Sequence, residues 1–412
     1  MERSALDGFR VLDLGRVLAG PMLGQLLADM GAEVIKVESH QRMDGTRLGR
    51  PIIGDDIAGG DEGKWPNMQP MFHAVNRNKM AITLDLKSPQ GRQTFLDLAR
   101  VSDVVTENFS PGVMDNLGLG YRDLCKVKPD IVLISMSGPG AWGSKRHIVT
   151  YASQIAALCG MAAFIGYEDE EVLGISQTHY CDAAAATAGA TAVCQALYYR
   201  QRTGRGQFID LSQWEADTAF HAEAIIEYSM NKRVLRAKGN YHPRMAPYNA
   251  YRCQGDDAWI SIAVDTEEAW RGLCHVAGHP EWASDGRFAD MCQRLRNRKE
   301  LNAVISEWTR NEDAYALMER LQAEGVAAMP VMNIQDLYFN PHHLARQAFV
   351  ETNHPLVGVE PIYGMPWKLS KTPGHIRRVA PSVGEHNEYV YQALLAIPGE
   401  TARSLEEQKV FW

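Results

Sequence analysis

The chain has 412 residues, 45% of them hydrophobic and 22% charged, with a formal net charge of −8. That length suits two domains, and the acidic balance argues against nucleic acid, whose phosphates favour a basic partner face. No apolar run reaches the roughly eighteen residues of a membrane span, the start "MERSALDGFRVLDLG" lacks a secretory signal's basic head and apolar core, and the seven cysteines show no metal-type or disulfide-type spacing, so a cytoplasmic protein without a metal centre is expected.

The first third alternates strand and helix signals. "RVLDLG" reads as a strand, "PMLGQLLADMG" as a helix from Pro21 to Gly31, and "EVIKVE" as the next strand. After a polar, glycine-rich stretch, "MAITLDL" is a strand, and Ser88 caps a helix with Pro89 at its first position. "DVVTENF" follows as strand, "GVMDNLGLGYRDLCKV" as helix and "DIVLISMS" as strand. Strand–helix–strand order with short connections predicts an α/β fold with a doubly wound, mostly parallel sheet. Ligands on such a sheet sit beyond the carboxyl ends of its strands, here Gly15–Pro21, Ser39–Thr46, Asn108–Gly112 and Ser137–Gly143.

A long alanine-rich helix follows Asp182 and ends near "RTGRGQ", before the strand "FIDLS". From about Ala216 the pattern changes: a helix "EADTAFHAEAIIEYSM", an irregular loop "GNYHPRMAPYNAYRC", the strand "WISIAV", then more highly charged helices to about Glu324. A smaller domain is expected over 216–329, with the larger one built from 1–215 and 330–412. "GVAAMPVM" and "PIYGMPWKLS" read as strands returning to a sheet, and the tail "EEQKVFW" is left open between packing and fraying.

"GPGAWG", Gly138 to Gly143, matches the dinucleotide fingerprint literally. It fails in context, because Pro139 separates the first two glycines and Cys159 and Gly160 stand where the ribose-binding acid belongs. A tight loop whose glycines let a ligand approach the backbone fits better. His342 and His343 are adjacent and cannot both face one ion from a helix. Cys181 reads as a buried small side chain rather than a nucleophile. Asp182, at the head of the alanine run, has two readings. Aspartate is a favoured helix N-cap. The same position favours an ionised carboxylate that small neighbours leave open to a bulky substrate, and carboxylates do act as nucleophiles toward activated acyl groups. Composition does not choose between them.

The blocks "LDGFRVLDLGRVLAGPMLGQLLADMGAEVIKVE", "NRNKMAITLDLKSPQGR", "VVTENFSPGVMDNLGLGY", "DAAAATAGATAVCQALYYRQRTGRGQFIDLS", "LQAEGVAAMPVMNIQDLYFNPHHLAR" and "APSVGEH" resemble the class III CoA-transferase family, typified by formyl-CoA transferase and carnitine CoA-transferase. The resemblance runs from end to end. It implies a large Rossmann-like domain made from both chain ends, a small α+β domain between them, and two interlocked chains. It implies that Asp182 attacks a donor thioester, forming an acyl anhydride and then an aspartyl-CoA thioester, with an acyl-CoA and a carboxylic acid as partners and no tightly bound cofactor. Family contacts to coenzyme A carry over to Arg16, Val17, Leu18 and Ala19, to Asn78 and Lys79, and to Asn108 and Phe109. A carboxylate exchanging a thioester needs amide donors for its oxyanions, and the glycine loop from Gly138 to Gly140 fits that need. Arg16 and Leu18 stand where formyl-CoA transferase has histidine and glutamine, and Ser39 replaces an arginine, with Arg42 and Arg47 close by as cations for the phosphates.

Two rival readings follow from the same resemblance. The α-methylacyl-CoA racemase branch uses a histidine–aspartate pair; here "RHIVTY" keeps His147 but has Ile148 beside it, which favours transfer. A CoA-binding subunit of a hetero-oligomer would have no need of the retained Asp182. For the acids exchanged, the aromatic block Tyr241–Tyr251 with His242 and Arg244 suggests a bulky, aromatic or dicarboxylic acceptor of the benzylsuccinate type, with succinyl-CoA as donor and Arg244 pairing the second carboxylate.

Overall fold

The computed structural model describes residues 3–51, 61–168 and 180–412. Its contacts divide the chain into two units. Met1–Ala162, Ile175–Leu235 and Ala345–Trp412 form the first, and Ala163–Gly174 with Arg236–Leu344 the second.

The first unit is organised by six parallel strands: β1 (Arg10–Asp13), β2 (Glu33–Glu38), β3 (Met80–Thr83), β4 (Val104–Glu107), β5 (Val132–Ser135) and β6 (Phe208–Asp210). Their order is β3-β2-β1-β4-β5-β6. β1 to β5 are short Val/Ile/Leu-rich runs because both faces of a parallel sheet are covered. On one face, α1 (Ala19–Asp29) and the long helix Tyr180–Thr203 set Leu23, Leu27, Val193 and Leu197 against Val11, Val34, Val104 and Val132. On the other, Phe95 and Leu98 meet Leu12, Ile35 and Val105, joined by Val390, Tyr391 and Phe411 from the chain's far end. The tail packs: the rings of Phe411 and Tyr391 stack with centroids 3.7 Å apart.

Several expected elements change at their edges. The helix expected over 112–127 breaks into Val113–Asn116 and Tyr121–Val127, because Gly118 between them takes a left-handed φ of 69°. Helices Gln213–Thr218 and Ala222–Asn231 belong to the first unit, so the second resumes at Arg236 rather than 216. Gln213 and Trp214 tie the former back, their side chains donating to Met136 O at 2.9 Å and Leu158 O at 3.1 Å.

The second unit holds an antiparallel sheet of β7 (Tyr248–Arg252), β8 (Trp259–Ala263) and β9 (Ala327–Pro330). The stretch expected as irregular loop thus contributes a strand, and "GVAAMPVM" pairs with β8, which carries this unit past 329 to Leu344. Ile260, Ile262, Trp270, Leu273, Leu317 and Leu321 form its core. Among the described residues, β10 (Phe349–His354) and β11 (Gly358–Tyr363) pair only with each other, in the first unit.

Glu107, at the carboxyl end of β4, is buried and accepts the Phe109 amide at 2.6 Å. Burial pushes its carboxyl up to about 7, against the lowering effect of Ser135 and the Phe109 amide. A carboxyl raised in the folded state binds more protons than the unfolded chain between about pH 4.5 and 7. Its contribution to stability is therefore complete below pH 4.5 and is lost as pH rises through 7. Glu107→Gln removes that titration, so between pH 4.5 and 8 the variant gains stability relative to the parent by on the order of 3 kcal/mol. Urea unfolding at the two pH values checks this.

Candidate active site

In a sheet of this order the winding reverses between β1 and β4, and ligands bind outside the carboxyl ends at that switch point. The two loops leaving those ends are stitched together there. Arg16 N donates to Asn108 Oδ1 at 2.8 Å, and Asn108 Nδ2 returns a bond to Arg16 O at 2.9 Å. Glycines make the approach possible: a Cβ on Gly20 would lie 2.8 Å from Asn108 Oδ1, and one on Gly15 would lie 2.6 Å from the Gly20 carbonyl carbon. Val17 has φ 67°, a sterically costly conformation for a β-branched residue. Its amide is held by Asp44 Oδ1 at 3.0 Å. Burial alone would raise the Asp44 carboxyl. The Lys36 ammonium at 3.0 Å, with the Thr46 and Val17 amides, outweighs burial and holds it below the usual range.

Above this junction opens a cleft of about 730 Å³, within the range of small-molecule sites. Arg16, Val17, Leu18, Asn108 and Phe109 line it, together with Asp182. Asp182 lies in the first turn of the helix Tyr180–Thr203 and is half-buried. The small residues after it seat that helix on the sheet: a Cβ on Gly189 would lie 2.8 Å from Met136 Sδ. Gly138 lines the same cleft, and a Cβ there would lie 2.0 Å from Thr150 Oγ1, so glycine is what admits the Ile148–Ser153 wall. Ser137, which opens the strand-end loop Ser137–Gly143 but had no role of its own there, also lines it; its Oγ is buried and has no hydrogen-bond partner among the described residues. The only signal for Ser137 was its place one residue before Gly138, just past β5.

A second cleft of about 480 Å³ shares Arg16, Phe109 and Ser110 with the first and runs past Ser39, Arg42 and Lys87. Arg42 and Lys87 are exposed cations. Together the two clefts offer a long ligand one cationic end and one carboxylate-bearing end.

Other residues expected in the site lie elsewhere. Ala19 is buried in the first turn of α1, and Gly140, with φ 92°, lines a neighbouring cleft with Asp210 and Trp214. Lys79 is fully buried and donates to Asp13 Oδ2 at 2.7 Å, Pro21 O at 2.7 Å and Asn76 Oδ1 at 2.9 Å. Asn78 donates to Asp29 Oδ1 at 2.6 Å and to His375 O at 2.7 Å. Neither side chain lines the two clefts; both hold α1 and its surroundings in place. Arg47 is likewise consumed, fully buried with its guanidinium on Glu38 at 3.0 Å and 3.4 Å above the Phe72 ring centroid. Cys181 is buried, and burial with the nearby Asp217 carboxylate pushes its thiol up to about 12, which removes it as a nucleophile. His147 is exposed, accepts from Arg146 Nε at 2.9 Å and does not line the Asp182 cleft. Arg244 is exposed in the second unit.

A parallel doubly wound sheet with a carboxylate-bearing cleft at its switch point defines an α/β enzyme with a small-molecule site. Residues 6–387 match the family described as CoA-transferase family III, and the chain belongs to that family. It is similar to succinyl-CoA–D-citramalate CoA-transferase of Chloroflexus aurantiacus, 33% identical over 407 residues and 98% of each chain. The β subunit of succinyl-CoA–L-malate CoA-transferase from the same organism is 30% identical over 98% of each chain. A solved CAIB/BAIF family protein from Brucella suis aligns with a TM-score of 0.85 at 31% identity, over 96% of this chain and 100% of that one. The protein is thus a family III CoA-transferase whose substrates are CoA thioesters.

Lys79→Ala leaves Asp13 buried without its cation, which costs roughly 3–5 kcal/mol. Urea unfolding is expected to show that loss. A variant of unchanged stability that only binds coenzyme A more weakly would return Lys79 to the ligand site.

Proposed function

We infer that the protein moves coenzyme A from an acyl-CoA donor, succinyl-CoA, to a second carboxylic acid through covalent intermediates on Asp182. The observation that carries this is that Asp182 lines the cleft that opens at the β1/β4 switch point, a cleft also lined by the Ser137 hydroxyl, which is buried with no partner among the described residues. The succinyl donor is supported by the two Chloroflexus relatives, both named for succinyl-CoA.

The steps balance without a redox group. The Asp182 carboxylate attacks the donor's thioester carbonyl, the C–S bond breaks, and coenzyme A leaves as thiolate from a mixed anhydride. The thiolate then attacks the aspartyl carbonyl, releasing the donor acid and leaving an aspartyl-CoA thioester. The acceptor carboxylate attacks that thioester, and the thiolate, freed again, takes the acceptor's acyl group and restores Asp182. Each tetrahedral intermediate carries an oxyanion, and Ser137 Oγ with the Gly138 backbone amide are the donors we assign to it. Arg42 and Lys87 in the second cleft are the cations we assign to the nucleotide phosphates, in place of Asn78, Lys79 and Arg47.

Incubation with succinyl-CoA followed by hydroxylamine should leave a hydroxamate on the peptide carrying Asp182, read by mass spectrometry. Asp182→Asn abolishes the mark, and Ser137→Ala slows its appearance on the order of 10²-fold. An unmarked parent peptide across several acyl-CoA donors overturns the covalent route.

We take the working form to be two interlocked chains in the cytoplasm, a reading supported by the family resemblance and by seven free thiols. Alternatively the partner is a related subunit, as the β-subunit relative's name allows. Light scattering on the purified protein should report twice the chain mass. A monomer with full transferase activity removes the paired form.

A further inference from the structure

Arg16 is the cation of the Asp182 cleft. Among the residues that line it, the charged side chains are Arg16 and Asp182. A half-buried arginine usually answers a carboxylate, yet among the described residues Arg16 forms no ion pair. Two acids that line the second cleft with Arg16 are engaged elsewhere: Asp44 holds Lys36 at 3.0 Å, and Glu38 holds Arg47 at 3.0 Å. The guanidinium is nevertheless anchored. Nη2 donates to Met43 O at 2.7 Å, the backbone is locked on both sides by Asn108, and Nε is shut away from solvent with no partner among the described residues. A fixed, planar, unanswered guanidinium in a mostly neutral cleft recognises a carboxylate supplied by the ligand.

We propose that Arg16 reads a second carboxylate at the far end of the acyl group, which makes this enzyme selective for short dicarboxylic acids on both sides of the exchange. The proposal rests on the transferase reading at Asp182. If Asp182 carries both acyl groups in turn, donor and acceptor present their reacting carbonyl to the same atom from the same cleft, so a charge reader that selects one selects the other. A monocarboxylic acyl group would leave the guanidinium desolvated and unpaired. Sites built around such a partner discriminate against the ligand that lacks it by about 10²-fold or more. Arg16 also borders the second cleft, where it would meet a phosphate instead; Arg42 and Lys87 already serve that end.

The test compares succinyl-CoA with butyryl-CoA, which matches its chain but ends in an uncharged methyl group. In the parent enzyme the ratio of kcat/KM for succinyl-CoA over butyryl-CoA should be about 10² or more. Arg16→Gln should collapse that ratio toward unity, and Arg16→Lys, which keeps the charge, should retain most of it. With succinyl-CoA as donor, glutarate should be accepted by the parent and butyrate rejected, and Arg16→Gln should erase the difference. A ratio unchanged in Arg16→Gln, or a parent with no preference for succinyl-CoA, overturns the proposal. So does a Kd for free coenzyme A that weakens as much as succinyl-CoA turnover does, since that marks a phosphate contact. No turnover and no mark on Asp182 with either donor overturns the transferase reading itself, whatever Arg16 does.

Discussion

The buried ion pair of Asp13 and Lys79 holds the switch point together. Asp13 ends β1 and receives the Gly15 amide at 2.8 Å, the Thr106 hydroxyl of β4 at 3.1 Å and the Lys79 ammonium at 2.7 Å. Lys79 reaches on to Pro21 O in α1 and to Asn76. One carboxylate and one ammonium therefore fix two strands, a helix start and the loop that carries Arg16. Both groups are out of water, so either alone would be costly. Burial presses the Lys79 ammonium down to about 8 even with Asp13 opposing that shift. The neighbouring residues of the motif do the same at the other end of α1, where Arg77 and Asn78 grip Asp29.

Glycine is the other half of this constraint. A Cβ on Gly24 would lie 2.6 Å from Asp13 Oδ2, so α1 reaches the ion pair only because the side chain is missing. With Gly15 and Gly20 this sets three glycines of "GRVLAGPMLG" against the same small volume. The cost reappears as strain at Val17, whose left-handed backbone turns the loop so that Arg16 and Leu18 both line the cleft. A rigid loop is what a charge reader needs, because a guanidinium free to swing would answer water instead.

The charge layout follows from the same geometry. Interior cations of the first unit such as Lys36, Arg47, Arg77 and Lys79 are each matched to a carboxylate. Against that rule, Arg16 is held by the Met43 carbonyl and has no ion-pair partner among the described residues. Paired charges build the carboxyl edge of the sheet, and the cleft is lined by one carboxylate, Asp182, and one guanidinium, Arg16.

The α/β class and most strand positions were legible in the sequence, because short apolar runs and capping residues are local signals; a lone acid at a helix head marked Asp182 but left capping and catalysis open, and only the family resemblance chose between them. The helix break at Gly118 and the strand hidden in "PYNAYRC" were not, since a left-handed glycine and an edge pairing are decided by what lies across from them. The roles within "NRNK" were not legible either. Asparagine and lysine near a strand end look alike whether they meet a nucleotide or a buried aspartate, and only tertiary structure brings Asp13 and Asp29 to them across more than forty residues of chain. The same holds for Ser137 and Arg16. Sequence by itself determined which groups were available and in what order; three-dimensional packing decided which charges were consumed in pairs and which were left facing the cleft.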